Sequence, residues 1–202
     1  AAILERHAAR GTFYARASLA ERDSPCGPGF TQHDLTQLHA NGHEIGCHGF
    51  AHLDCARADV FEALSDIARN RDALVKFGHT ASLQSFAFPY GETSVSLKET
   101  LPPRFGCARG ITPGLNYGKV DLAHLRAFPL YGAGGLKRIL GVFGRAVRKH
   151  AWIIAFTHDV SDTPSPFGAR PRDLEALILE AKRRGFHILP VSQALARAEI
   201  LA

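Results

Sequence analysis

Methionine is absent from this 202-residue chain, and tryptophan occurs once. No apolar run approaches the roughly 18 residues that a membrane-spanning helix needs. The longest, Ala151 to Phe156, suits a buried strand, so no membrane segment is expected within this chain. The opening Ala-Ala-Ile-Leu-Glu-Arg lacks the charge, apolar stretch and cleavage site of a signal peptide. Any targeting signal would lie upstream, and compartment is left open. Cys26, Cys47, Cys55 and Cys107 form no Cys-x-x-Cys pair. Free, mostly buried thiols are expected rather than a disulfide framework in a domain of this size. There is no internal repeat, no linker, and no basic block interleaved with aromatics.

The composition is that of a globular protein: 46% apolar and 21% charged residues. A chain of this length forms one domain over residues 1–202 and buries a core without staples. The formal charge of +5 is spread along the chain, with short clusters at Arg170–Arg172 and Lys182–Arg184. A solvated basic face is the expected reading, and a nucleic-acid partner is not.

Short β-like runs alternate with longer helical ones. Strands are predicted over Gly11–Arg16, His43–Cys47, Ser85–Phe88, Gly106–Arg109, Leu125–Leu130, Trp152–Thr157 and Phe186–Val191. Helices are predicted over Thr31–Ala40, Ala58–Phe77, Leu136–Arg148 and Arg172–Arg184, with a short one from Ser192. Thr31 is the candidate N-cap of the first, and Asn41-Gly42 its stop. In Ala58–Phe77, Val60, Phe61, Leu64, Ile67, Ala68 and Leu74 follow the 3.6-residue period. Such alternation predicts a parallel sheet with helices outside, open or closed as a barrel. Chemistry in these folds sits just after the strands, at their carboxyl ends.

Three segments fall there. His48 and His52 follow the second strand and stand at i, i+4, a spacing that lets two imidazoles share a metal if the segment turns helically. Spacing alone is weak evidence, because 11 histidines give about 0.6 such pairs by chance. His39 and His43 show it too, but straddle the Asn41-Gly42 stop. The bland alternative for His48 and His52 is a pair of surface or hydrogen-bonded histidines. Pro89-Tyr90-Gly91 follows the third strand. It reads either as an ordinary turn or as a rigid one aiming a backbone N–H into a cleft. Thr157-His158-Asp159 follows the Trp152 strand, where a histidine suits a general acid or base. Asp159 or another carboxylate is the candidate to orient it, and a capping or loop histidine is the alternative. Together the three describe the apparatus of metal-assisted hydrolysis.

With those residues in place, the chain resembles the polysaccharide deacetylase (NodB-homology) family. Gly42-His-Glu-Ile-Gly-Cys-His-Gly-Phe-Ala-His-Leu-Asp54 is similar to its metal-binding motif. Gly11-Thr-Phe-Tyr14 is similar to its ATFF strand, Phe86-Ala-Phe-Pro-Tyr-Gly91 to its F-R-x-P-Y-G motif, and Ile153 to Asp159 to its late strand ending in the catalytic histidine. The match runs over nearly the whole chain in order. The resemblance implies a distorted (β/α) barrel and a divalent metal, usually zinc or cobalt. It implies a hydrolase removing N-acetyl groups from amino sugars of a glycan. His48 and His52 would hold the metal, Tyr90 would supply a backbone N–H to the oxyanion, and His158 would protonate the leaving amine. The alternatives carried forward are a non-catalytic carbohydrate-binding relative and a hydrolase of another C–N amide bond.

Several departures accompany the resemblance. The family's T-F-D-D motif, whose aspartates are the general base and third metal ligand, is absent, as is the strand that bears it. The expectation is that both lie upstream of Ala1. Gly49 replaces the Ser/Thr that follows the first metal histidine. Ala87 stands where the family often has the arginine that orients the base, although some deacetylase-like branches share this alanine. The Asp-Trp motif supporting the catalytic histidine is not recognisable; Asn116 and Asp121 lie in its region, and neither is assigned.

Overall fold

Strand and helix alternate as the periodicity predicts in a computed structural model describing residues 1–197. In the first half, α1 (Ala2–Arg6), β1 (Thr12–Ala15), a small hairpin of β2 (Asp23–Ser24) and β3 (Gly27–Pro28), and α2 (Gln32–Ala40) lead to β4 (Glu44–Cys47). Then come α3 (Val60–Lys76), β5 (Ser85–Ala87), α4 (Val95–Thr100) and β6 (Cys107–Arg109). The second half contains β7 (Phe128–Pro129), α5 (Gly135–Lys149), β8 (Ala155–Phe156), α6 (Pro171–Arg183) and α7 (Val191–Arg197).

Strands β1, β4, β5 and β6 lie side by side in that order, all parallel. Parallel neighbours need a crossover, and α2, α3 and α4 supply one each. β7 and β8 form a second parallel pair, and a single parallel bridge from Arg109 to Leu125 links the two ladders. Among the described residues no ladder carries β8 round to β1. The predicted strand Phe186–Val191 has none either. It meets the start of β1 only where Arg10 N donates to Ile188 O (3.4 Å) and Val191 N to Thr12 Oγ1 (2.8 Å). Pro190 contributes no N–H there. The predicted strand Trp152–Thr157 shortens to β8, because Trp152 instead exchanges both backbone hydrogen bonds with Asn116 in an antiparallel bridge.

The helix boundaries have local causes. Thr31 and Asp34 form a reciprocal capping box at the start of α2. Asp59 caps α3 by accepting from Phe61 N and Glu62 N. Pro171 opens α6, where its missing N–H costs nothing. The buried face of α3 is Ala63, Asp66, Ile67, Asn70 and Leu74. That face is rotated from the apolar stripe read in the sequence, and Phe61 lies 83% exposed.

Two main cores result. Ile45, Ile67, Leu74, Phe86 and Phe88 anchor the first, around the four-stranded sheet. Phe128, Ile139, Phe143, Leu177 and Ala181 anchor the second, between β7, α5 and α6. Side chains as buried as Leu74 and Ile139 each contribute about 1.5–3 kcal/mol by leaving water. Two polar side chains lock the first sheet. Asn70 accepts from Ala17 N (2.8 Å) and donates to Ala15 O (3.0 Å) and Cys47 Sγ (3.3 Å), tying the ends of β1 and β4 together. At the opposite end, Glu44 accepts from Thr12 Oγ1, Ser85 Oγ and Ser192 N at 2.7–2.9 Å. All four cysteines are free, and Cys47, Cys55 and Cys107 are buried, as expected.

Candidate active site

The segment from His48 to His52 does not turn helically, contrary to the premise drawn from its spacing. It is an irregular loop with left-handed backbone at Gly49 (φ +68°) and His52 (φ +60°). The outcome for the two imidazoles is nonetheless a shared position. Their rings meet edge to face with centroids 5.0 Å apart. α3 holds the loop from beneath: Asp66 accepts from Phe50 N and Ala51 N at 2.8 Å each. Arg69 lies over the Phe50 ring at 3.8 Å.

His48 is oriented by the neighbouring strand, with Nδ1 2.7 Å from the carbonyl oxygen of Ala87. A carbonyl only accepts, so Nδ1 carries the proton and Nε2 keeps its lone pair, the tautomer a metal ligand needs. Burial, helped by the Arg109 charge, pushes its pKa down to about 3. The His52 pKa is lowered too, by burial first and then by Arg16 and His158. Both rings are thus neutral donors, and they fit two positions of a divalent-metal site. The usual three-protein-ligand set is not complete here. Among the described residues no three His, Cys, Asp or Glu side chains gather, and Asp66 spends both oxygens on the loop.

Pro89-Tyr90-Gly91 closes β5 in a single tight turn, with Tyr90 itself at φ +58°. Gly91 N donates to Phe88 O (3.0 Å), and Phe88 N to Arg109 O (3.1 Å). Among the described residues no acceptor takes the Tyr90 N–H. The Tyr90 ring packs edge-on against His52 at 4.6 Å, so the turn and the histidine pair share one mouth.

His158 follows β8 at the same end of the sheets and within electrostatic reach of His48 and His52. Its exposed ring touches those of Tyr131 (5.8 Å) and Phe167 (5.5 Å), which also touch each other (5.7 Å). Burial lowers its pKa, while the Phe167 carbonyl, 3.3 Å from Nδ1, pulls it back up. That carbonyl, rather than Asp159, orients the ring. Asp159 is instead engaged by Ser165, accepting from its N (3.0 Å) and Oγ (2.5 Å). Asn116 and Asp121 have other work as well. Asn116 accepts from Arg126 N and donates to Arg126 O, and Asp121 pairs with Lys98. His39 and His43 do not share a site: His43 is buried against Gly11 N and Glu5, and His39 is exposed.

Asp66, Asn70, Arg109 and Phe167 are the residues that sequence reasoning missed. The first two were legible only as polar interruptions of an apolar helical face.

The sequence model of the family described as polysaccharide deacetylase matches residues 1–101. No curated protein sequence matches the chain. Among solved structures, the chain is similar to a family 4 acetyl xylan esterase from Clostridium thermocellum in complex with a cobalt ion. The identity is 20% and the TM-score 0.66, covering 99% of this chain and 83% of that one. It is similar to a peptidoglycan deacetylase from Bacillus subtilis, at 17% identity and TM-score 0.57 over 97% and 80% of the two chains. It is also similar to a CE4-family pseudoenzyme from Bacillus anthracis, at 15% identity and TM-score 0.59 over 96% and 58%. At these identities the likeness establishes the fold.

Proposed function

The chain belongs to the polysaccharide deacetylase family, and from that premise we propose that it is a metal-dependent hydrolase removing N-acetyl groups from amino sugars of a glycan. The observation that carries this reading is the packing of His48, His52 and Tyr90 in one contact chain, with His158 at the same mouth. The distorted (β/α) barrel of the family, without the strand that bears its Asp-Asp motif, is the architecture we assign to this single domain.

His48 and His52 would hold a divalent ion, zinc or cobalt, which when bound polarises the acetyl carbonyl and acidifies water. Of the remaining roles, this sequence supplies the oxyanion donor and the acid, and not the general base that takes the proton of the attacking water. The Tyr90 N–H receives the carbonyl oxygen as negative charge develops on it, where a donor fixed by a rigid turn is most effective. His158, with Nδ1–H committed to Phe167, first takes up a proton from solvent at its free Nε2 and then gives it to the departing amine nitrogen. The ring is solvent-exposed, so that proton is exchanged readily with water.

A second reading is a non-catalytic glycan-binding relative. It is favoured by the incomplete ligand set around His48 and His52 and by the pseudoenzyme of similar fold. Acetate release from N-acetylated chito-oligosaccharides and peptidoglycan, with zinc or cobalt supplied, decides between them. Release that disappears in His48→Ala supports the hydrolase. Saturable glycan binding with no release supports the binding relative, and release from a non-sugar amide alone indicates a hydrolase of another C–N bond.

A further inference from the structure

The positive surplus is more concentrated than a reading along the sequence suggests. Between Leu122 and His158 there are six Lys and Arg and no Asp or Glu, against a formal charge of +5 for the whole chain. Five of the six, Lys137, Arg138, Arg145, Arg148 and Lys149, stand on α5, and all five are exposed. At about 3.6 residues per turn they fall within about 120° of the helix surface. That face is turned away from Ile139, Phe143 and Ala146, which are buried in the second core. Arg145 precedes Arg148 and Lys149 by three and four residues, spacings at which like charges destabilise a helix. Among the described residues no carboxylate pairs with any of the five. The neighbouring α6 differs, because Arg172 pairs with Asp173, and Arg183 and Arg184 share Glu180. Gly141 lies inside the charged stripe, exposed, and a Cβ there would meet nothing within 4 Å. Packing does not ask for glycine at this place, although glycine weakens a helix interior. It leaves bare backbone between the two cations at the start of α5 and the three near its end. Over Gly144, one turn on, Nη1 of Arg148 and Nη1 of Arg184 converge, 3.6 and 4.0 Å from where a Cβ would stand.

A row of cations without counter-charges is the electrostatic footprint of a polyanion. The apolar residues of α5 face the core, so the stripe has nothing to insert into a bilayer. It carries no aromatic ring on which bases would stack, and the ring beside it, Tyr117, already faces the Lys149 ammonium at 5.7 Å. Arginine forks match carboxylates with two parallel hydrogen bonds. The stripe also starts at the mouth. Tyr131, whose ring touches that of His158 (5.8 Å), leads directly into the turn that opens α5. We propose that the exposed face of α5 is a docking track for an acidic glycan, a sugar chain whose carboxylates pair with these cations while its continuation reaches the mouth beside His158. The choice of a sugar among polyanions rests on the deacetylase reading, and the charged face itself does not.

The test measures fluorescence anisotropy of end-labelled alginate oligosaccharides titrated with the full 202-residue chain, with neutral chito-oligosaccharides of equal length as the control. Alginate affinity is expected to fall about tenfold or more between about 50 and about 200 mM sodium chloride. The triple variant Lys137→Gln, Arg145→Gln, Arg148→Gln is expected to weaken alginate binding about tenfold or more at the lower salt, and to leave chito-oligosaccharide binding unchanged. Gly141→Glu puts an opposite charge in the middle of the stripe on a better helix former. It is expected to weaken alginate binding several-fold without lowering Tm, and it decides the matter if the triple variant fails to fold. Alginate affinity unchanged in the folded variants overturns the proposal. So does tighter binding, through the same residues, of single-stranded DNA or of phosphatidylglycerol vesicles, which would give the face to a nucleic acid or a membrane. No turnover is needed for this readout. Alginate binding through α5 without acetate release from any substrate would therefore keep the track and sink the deacetylase reading, and acetate release without alginate binding would do the reverse.

Discussion

A Cβ atom on Gly49 would stand 2.6 Å from Oδ2 of Asp66, the carboxylate that fixes the loop between His48 and His52. Gly49 also has φ +68°. Both features demand glycine, which explains why the hydroxyl residue expected at this place is missing. Gly49→Ala is expected to cost about 2–4 kcal/mol, from left-handed strain and overpacking together. Urea denaturation measures it, and a loss below about 0.5 kcal/mol would show that the loop re-forms freely around the carboxylate.

Asp66→Ala removes the acceptor of two backbone N–H groups. Hydrogen bonds to charged groups contribute about 1.5–3 kcal/mol each, so a destabilisation of that order is expected. The sharper expectation concerns metal. Because the imidazole pair is positioned by this loop, affinity for cobalt(II) should fall about 10–100-fold, as for other supporting groups. Calorimetric titration of wild type and variant checks it. Unchanged affinity would mean that the histidines find each other without Asp66.

His48→Ala and His158→Ala should each lower deacetylation by about 10²–10⁴-fold, the range for loss of an acid–base group. They should part company in metal binding, which His48→Ala weakens and His158→Ala spares. Equal metal affinities in the two variants would contradict the division of roles.

Tyr90 acts through its backbone N–H in the reading given above, and its side chain is largely exposed. Tyr90→Phe should therefore leave the rate within about 0.5 kcal/mol, or roughly twofold. A hundredfold loss would move the function to the phenol hydroxyl.

The fold was largely readable, and the reasons are local. β1, β4, β5 and β6 fall within predicted runs because alternation, turn residues and caps all agree there. The site was half readable. His48, His52, Tyr90 and His158 sit at strand ends, which position alone reveals. Their supports do not announce themselves. Asp66 and Asn70 look like polar breaks in a helical stripe, yet they define its buried face, while Phe61 fits the stripe and points outward. Phe167 supports His158 with its main chain, which no side-chain pattern encodes. The Phe186–Val191 run failed as a strand because apolar content fixes burial but not a ladder partner.

Acid sensitivity should come in part from His43, which stitches the starts of β1 and β4. Its Nδ1 accepts from Gly11 N at 3.1 Å, and Nε2 faces Glu5 at 3.2 Å. Glu5 favours the charged ring, but burial outweighs it and holds the pKa below the ordinary 6.5. The unfolded chain takes up the proton near that value and the folded chain resists. The stability that the neutral ring carries above 6.5 is therefore lost as pH falls below it, at no more than about 1.4 kcal/mol per pH unit. Urea midpoints should drop between about pH 7 and about pH 5, and His43→Gln should flatten the drop. A slope unchanged in the variant would assign the effect to other groups.

Trp152, the single tryptophan, packs beside Cys107, Leu125 and Val191, where β6 meets the segment leading to β7. This is also where the half carrying His48, His52 and Tyr90 is bridged to the half carrying His158. The chain thus has a built-in optical gauge at the seam of its candidate site. Tryptophan emission should report the two halves slipping apart while each core is still intact.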